Sequence, residues 1–170
     1  MANFSYFMMK SLTINNLEFA QKQQKLVDNL AIFTLKRLSE TLNIQSENSK
    51  KSTVYFELTG DFKQFRYPSL HLHIKTDLPA ICQRCLEEMQ IALNLEFNYL
   101  ISEKIVDELE ENDEMDWLEV SKEMDVFELI EDELLLALPY APVHETNCAK
   151  NSMQSGEKPN PFAVLKGKIK

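Results

Sequence analysis

Two stretches of this chain alternate so regularly that they are read as strands of one antiparallel sheet. In "LHLHIKTDL" (70–78), Leu70, Leu72, Ile74 and Thr76 fall on one side of an extended backbone, and His71, His73 and Lys75 on the other. In "QIALNLEFNYLIS" (90–102), Ile91, Leu93, Leu95, Phe97 and Tyr99 oppose Ala92, Asn94, Glu96 and Asn98. A third run, "STVYFELTG" (52–60), alternates with β-branched and aromatic residues. The segment "CQRCLEEM" separates the first two, so Cys82 and Cys85 are placed at or near a hairpin turn. The fold expected is α+β: an antiparallel sheet covered on one face by helices, with an acidic mobile loop and a flexible C-terminal tail.

The helices follow from other signals. "LEFAQKQQ" (17–24) reads as a short helix and "KLVDNLAIF" (25–33) is strand-like. "TLKRLSETL" (34–42) puts Leu35, Leu38 and Leu42 on one helical face. "NIQSENSKK" (43–51) reads as a loop. In "DVFELIEDELLLALP" (125–139), Asp125 is a plausible N-cap with Glu128 at the capping-box position. Phe127, Ile130, Leu134 and Leu138 share a face there, and Pro139 stops the helix. Residues 103–125 are acidic and aperiodic, an extended connection with room for a short strand at "WLEV". The expected organisation is one domain over 1–148, then a polar linker and a basic-apolar tail over 149–170.

Composition excludes several classes. The only glycines are Gly60, Gly156 and Gly167, so no Gly-rich phosphate cradle, dinucleotide fingerprint or G-x-S-x-G elbow can be built. Three cysteines are too few, and odd in number, for a disulfide framework, which points to a reducing cytosol. No basic region precedes the mildly apolar "MANFSYFMMK", so a signal peptide is not expected. The longest apolar run, "LLLALPYAPV" (134–143), is well short of the ~18 residues of a membrane span. The expectation is a soluble cytoplasmic protein with no membrane partner.

The net charge of −9 is unevenly spread: +4 over residues 1–76, −17 over 77–148 and +4 over 149–170. RNA phosphate would be repelled by the middle and approached by the ends. "FKQFRYP" (62–68) interleaves Phe62, Phe65 and Tyr67 with Lys63 and Arg66, a pattern that single-stranded RNA binding uses. The simpler reading is a strand connection whose aromatics fold inward. His71 and His73 share a strand face, but no carboxylate or cysteine lies immediately beside them, so they are read as the solvated side of a strand.

Cys-x-x-Cys serves redox or metal chemistry. A thioredoxin-type pair opens a helix, and this pair sits between strands, which weakens the redox reading. A tight turn presenting two sulfurs suits zinc, and "HETNC" offers His144 and Cys148 as further donors. Cys82, Cys85, His144 and Cys148 are therefore candidate Zn²⁺ ligands, although no glycine follows either cysteine of the pair. Reduced thiols without a metal remain the alternative.

"CQRCLEEM", "IEDELLLALPYAPVHETNC" and "KPNPFAVLKGK" together resemble the bacterial YceD family, the large ribosomal RNA subunit accumulation proteins. The resemblance implies a small cytoplasmic protein needed for synthesis, processing or stability of 23S ribosomal RNA. It supplies no mechanism and no catalytic residue. Some relatives hold more cysteines after the helix, where this chain has His144 and Cys148. The leading expectation is a non-catalytic factor of large-subunit biogenesis. Its partners would be basic ribosomal or assembly proteins of that subunit drawn to residues 103–133, and 23S rRNA through the basic ends. The alternatives are an enzyme, using the thiols for disulfide exchange or the acidic cluster to hold a catalytic metal, and a purely structural interaction module.

Overall fold

The alternating segments are strands, and they pair in the order they leave the chain. The structure is a computed structural model that describes residues 11–44, 53–62, 67–103, 116–146 and 148. Its elements are β1 (Thr13–Ile14), α1 (Asn16–Gln21), β2 (Lys25–Ala31), a 3₁₀ turn (Ile32–Thr34), α2 (Lys36–Thr41), β3 (Thr53–Asp61), β4 (Ser69–Ile81), β5 (Glu88–Ser102), β6 (Asp116–Glu119), β7 (Met124–Asp125) and α3 (Val126–Ala137). Strands β2, β3, β4, β5 and β6 form one five-stranded sheet in that order. The pairings from β2 to β5 are antiparallel. β6 lies parallel to β5, from Tyr99↔Asp116 to Ser102↔Glu119. The sheet is therefore mixed, within an α+β architecture. A parallel neighbour cannot follow a tight turn, and residues 103–115 supply the length of a crossover.

The two faces of the sheet divide as the alternation requires. Val54, Phe56 and Leu58 of β3 and Leu70, Leu72, Ile74 and Leu78 of β4 are buried. Against them pack Val126, Phe127, Ile130 and Leu134 of α3, with Ile32, Leu35, Leu38, Phe19 and Ala20. Each such fully buried side chain contributes roughly 1.5–3 kcal/mol relative to exposure. On the other face His71 Nδ1 donates to Asn98 Oδ1 at 2.9 Å and His73 Nε2 to Asn94 Oδ1 at 2.8 Å. Lys25 pairs with Glu57 at 2.7 Å on that same face. The two histidines are thus cross-strand partners of asparagines on the outer face, as their alternation implied.

The helix ends show how distant parts are joined. Asp125 caps α3, accepting from Phe127 N at 2.9 Å and Glu128 N at 3.4 Å. Asn15 caps α1 through Glu18 N at 3.0 Å. The residue before α2 is Leu35, which makes no side-chain cap. Glu131 of α3 does that job instead: Oε1 accepts from Leu38 N at 3.1 Å and Oε2 from Arg37 Nε at 3.0 Å. An N-cap normally reaches the second or third helical N–H, and Leu38 is the third. Arg37 also holds Asp132 at 2.6 Å. Asn16 is fully buried; its Nδ2 donates to Glu119 O at 2.8 Å and its Oδ1 accepts from Ser121 N at 2.9 Å. That residue fastens α1 to the chain just beyond β6. Among the described residues, no helix is long and apolar enough to cross a membrane.

Candidate metal centre

β4 and β5 close on each other at Ile81↔Glu88, which leaves residues 82–87, "CQRCLE", to turn the hairpin. Cys82 N donates to Glu87 O at 2.9 Å, and Leu86 N donates back to Cys82 O at 2.9 Å. Inside this loop Arg84 N points at Cys82 Sγ, 3.4 Å away. The backbone is thereby wound around one sulfur, the geometry by which a tight turn presents Cys-x-x-Cys to a single ion.

Winding the turn this way sends Leu86 to φ 60°. The left-handed conformation costs an L-residue about 1–2 kcal/mol, which is why glycine commonly stands there. The missing glycine after Cys85 therefore does not prevent the turn; a leucine occupies it under strain. Leu86 is 73% exposed, so little packing holds it in place. Leu86→Gly is expected to raise stability by about 0.5–1 kcal/mol, the relief of strain less the entropy of a freer unfolded chain. A urea midpoint that stays put or falls would contradict the strained-turn account.

The second pair of donors arrives on the segment after α3. Leu138 ends that helix in an extended conformation, and Pro139 follows. Gln83 N donates to Pro142 O at 2.8 Å, joining the turn to this segment backbone to backbone. Arg84 Nη1 reaches Thr146 O at 3.4 Å. The result is convergence of all four candidate donors. Cys85 Sγ lies 3.4 Å from His144 Nδ1 and Cys82 Sγ lies 3.6 Å from Cys148 Sγ. The four ligand atoms all fall within 4.8 Å of one another. The three cysteines are free.

These distances bear on whether an ion fits. A tetrahedral zinc with bonds of ~2.3 Å to sulfur and ~2.05 Å to nitrogen sets sulfurs ~3.8 Å apart and sulfur ~3.6 Å from nitrogen. The Cys85–His144 and Cys82–Cys148 spacings, 3.4 and 3.6 Å, are close to these values, and the remaining donor pairs, all within 4.8 Å, would close by up to about 1 Å around an ion. A disulfide would need sulfurs ~2.05 Å apart. The donors are soft thiols and one imidazole, a set that suits zinc and does not suit magnesium or calcium. Burial works against charge on Cys82, but the backbone N–H groups of Cys85, Arg84 and His144, with the Cys148 thiol, outweigh it and bring the thiol down to about 5. At Cys85 the Glu87 backbone pulls downward, yet burial and the neighbouring Cys82 and Cys148 sulfurs prevail and the direction is up. Without a cation the site thus favours a thiolate at Cys82 over one at Cys85. A divalent ion reverses that preference by stabilising all three thiolates together.

The other sequence candidates do not join this group. Lys63, Phe65 and Arg66 lie outside the described residues. Phe62 and Tyr67 of the same stretch are exposed, so these two aromatics do not fold inward. Much of the described acidic segment serves the fold. Asp125 caps α3, Glu131 caps α2, and Glu133 accepts a 2.8 Å hydrogen bond from the buried Tyr99 hydroxyl. Burial pushes the Glu133 carboxyl above its ordinary range despite that bond. Residues 104–115, the most acidic part, lie outside the described residues, as do 149–170. The supporting roles of Gln83 and Arg84 had no sequence signal beyond their place between the cysteines.

Comparison with known proteins covers the same region. The family model described as large ribosomal RNA subunit accumulation protein YceD matches residues 70–167, more than half of the chain. That span includes β4 after its first residue, the turn, β5, β6, α3 and all four converging donors. A Haemophilus influenzae protein named large ribosomal RNA subunit accumulation protein YceD is 29% identical over 167 residues, covering 91% of this chain and 92% of its own length. No solved structure matches. With more than half its length matched in one block, and a relative aligned nearly end to end, the chain belongs to the YceD family.

Proposed function

We propose that this protein is a non-catalytic factor that supports the synthesis, processing or stability of 23S ribosomal RNA, and so the biogenesis of the large subunit. We propose further that zinc is its structural clip, held by Cys82, Cys85, His144 and Cys148. The observation that carries the non-catalytic reading is the closed donor set. Four protein ligands complete a tetrahedron, whereas catalytic zinc keeps a position open for water or substrate. The name of the Haemophilus relative supports the ribosomal part of the reading. The zinc would join the β4–β5 hairpin to the segment after α3, fixing the end of the sheet.

The depressed Cys82 thiol favours one competing reading, a thiol oxidoreductase. A reactive cysteine must also be reachable. Cys82 is fully buried, with an amide aimed at its sulfur, so it is poorly placed to attack a substrate. A domain over 1–148 with a basic-apolar tail over 149–170 fits a cytoplasmic adaptor: basic large-subunit proteins on the acidic side, 23S rRNA near Lys63, Phe65, Arg66 and Tyr67. The test is depletion of the protein in growing cells, with 23S measured against 16S rRNA. The expected result is a fall in 23S alone, restored by the wild-type chain. An unchanged ratio on depletion would sink the proposal.

A further inference from the structure

β5 is paired along most of its length on one side only. Its register with β4 runs from Ile81↔Glu88 to Ser69↔Leu100, while β6 covers only Tyr99–Ser102 on the other side. Among the described residues, Glu88–Asn98 therefore has no neighbouring strand on its outer edge. Eleven residues of open strand extend roughly 37 Å. Natural sheets blunt such edges with lysine, proline, bulges or short strands. "EMQIALNLEFN" contains neither lysine nor proline. The inward side chains Leu93, Leu95 and Phe97 pack on the core yet stay only partly buried. Beside the start of this edge runs a trough of about 820 Å³, between Met89–Ala92 and the segment Pro139–Thr146.

The charge along the edge selects the occupant. Residues 87–103 carry Glu87, Glu88, Glu96 and Glu103 and no Lys or Arg, and the facing segment 139–146 adds Glu145 and no cation. A second copy would bring the same carboxylates, on a chain of net charge −9. We infer that the open edge of β5 is a docking strand for an extended basic segment of another protein, with apolar residues at alternate positions. Backbone hydrogen bonds supply the pairing, as in strand addition generally. The apolar positions continue the layer of Leu93, Leu95 and Phe97, and the lysines or arginines face Glu88, Glu96 and Glu145. This deepens the function proposed above, and rests on it only for the origin of the partner in the large subunit.

The test uses the full-length, metal-loaded chain and an acetylated ten-residue peptide alternating valine and lysine, read by hydrogen exchange at the alternate amides of residues 90–98 that point away from β4. Expected is about tenfold slower exchange at those amides with the peptide bound. Glutamate in place of lysine in the peptide abolishes the effect. E96K, at an exposed position, weakens peptide affinity about five- to tenfold without moving the thermal midpoint. No protection, or equal protection by the glutamate peptide, overturns the inference. So does protection of those outward amides already present without peptide. If it is independent of concentration the chain's own tail covers the edge, and if it grows with concentration a second copy does. Peptide binding with a 23S ratio unchanged on depletion would retire the proposed function and leave the docking strand. No binding with 23S lost on depletion would do the reverse.

Discussion

Cys82→Ala is expected to release zinc from the purified protein and to lower its stability by about 3–5 kcal/mol, among the largest effects a single substitution produces. Cys82 is fully buried, and its sulfur lies 3.6 Å from that of Cys148. Structural zinc contributes ~10–16 kcal/mol in small fingers that have no other core. Here the sheet and α3 bury a core of their own, so the chain should remain folded while losing a part of that. The part is still large because the ion would bridge residues 66 positions apart in sequence, Cys82 to Cys148, and 59 apart, Cys85 to His144. Releasing the clip frees a long loop, whose closure entropy rises with length. For a chain of this size the thermal midpoint should drop by roughly 10 °C, and a strong chelator should shift the wild-type protein by a similar amount while leaving Cys82→Ala unmoved. Protein purified without chelator that contains no zinc, or a substituted chain that melts with the wild type, would remove the metal from the account.

The strands were legible because burial on one side leaves a period of two that any reader of the sequence can follow. Leu70, Leu72 and Ile74 point into the core, and His71 and His73 point out, as their order alone required. The start and stop of α3 were legible for a local reason too, since Asp125 and Pro139 act within a turn of themselves. The four donors could be guessed from residue type, but their meeting depends on a backbone bond from Gln83 to Pro142 that nothing local announces. The same holds for Glu131. It reads as one more acid in an acidic run, and only the fold makes it the cap of a helix ninety-three residues earlier. Charge counting therefore overstated the free acidity of residues 116–133. The short strand expected at "WLEV" is β6, but its parallel pairing with β5 and the short β1–β7 pair were not legible, because two to four residues carry too little pattern and their pairing is decided by what lies alongside.

Gly60→Ala should destabilise the protein by about 3 kcal/mol, which overpacking can produce when the surroundings cannot yield. The period of two that buries Val54, Phe56 and Leu58 carries position 60 to the same inward face. There the backbone of α1 passes directly over the strand. A Cβ at Gly60 would stand 2.5 Å from Phe19 O, 2.7 Å from Ala20 Cα and 2.9 Å from Phe19 C. All three are main-chain atoms, so no rotamer change relieves the clash, and either α1 or the end of β3 must move. Neither is free to do so. Gly60 N donates to Gln24 O at 2.8 Å, Ala20 is fully buried, and Asn16 anchors α1 to Glu119 and Ser121. The sign makes the test sharp. In an open strand, alanine for glycine ordinarily stabilises by about 0.5–1 kcal/mol, because the unfolded chain loses freedom. The measurement is urea unfolding, where the midpoint should fall with the slope unchanged, since the same surface is exposed on unfolding. A midpoint that rises would mean that α1 does not sit on β3 as closely as the distances place it.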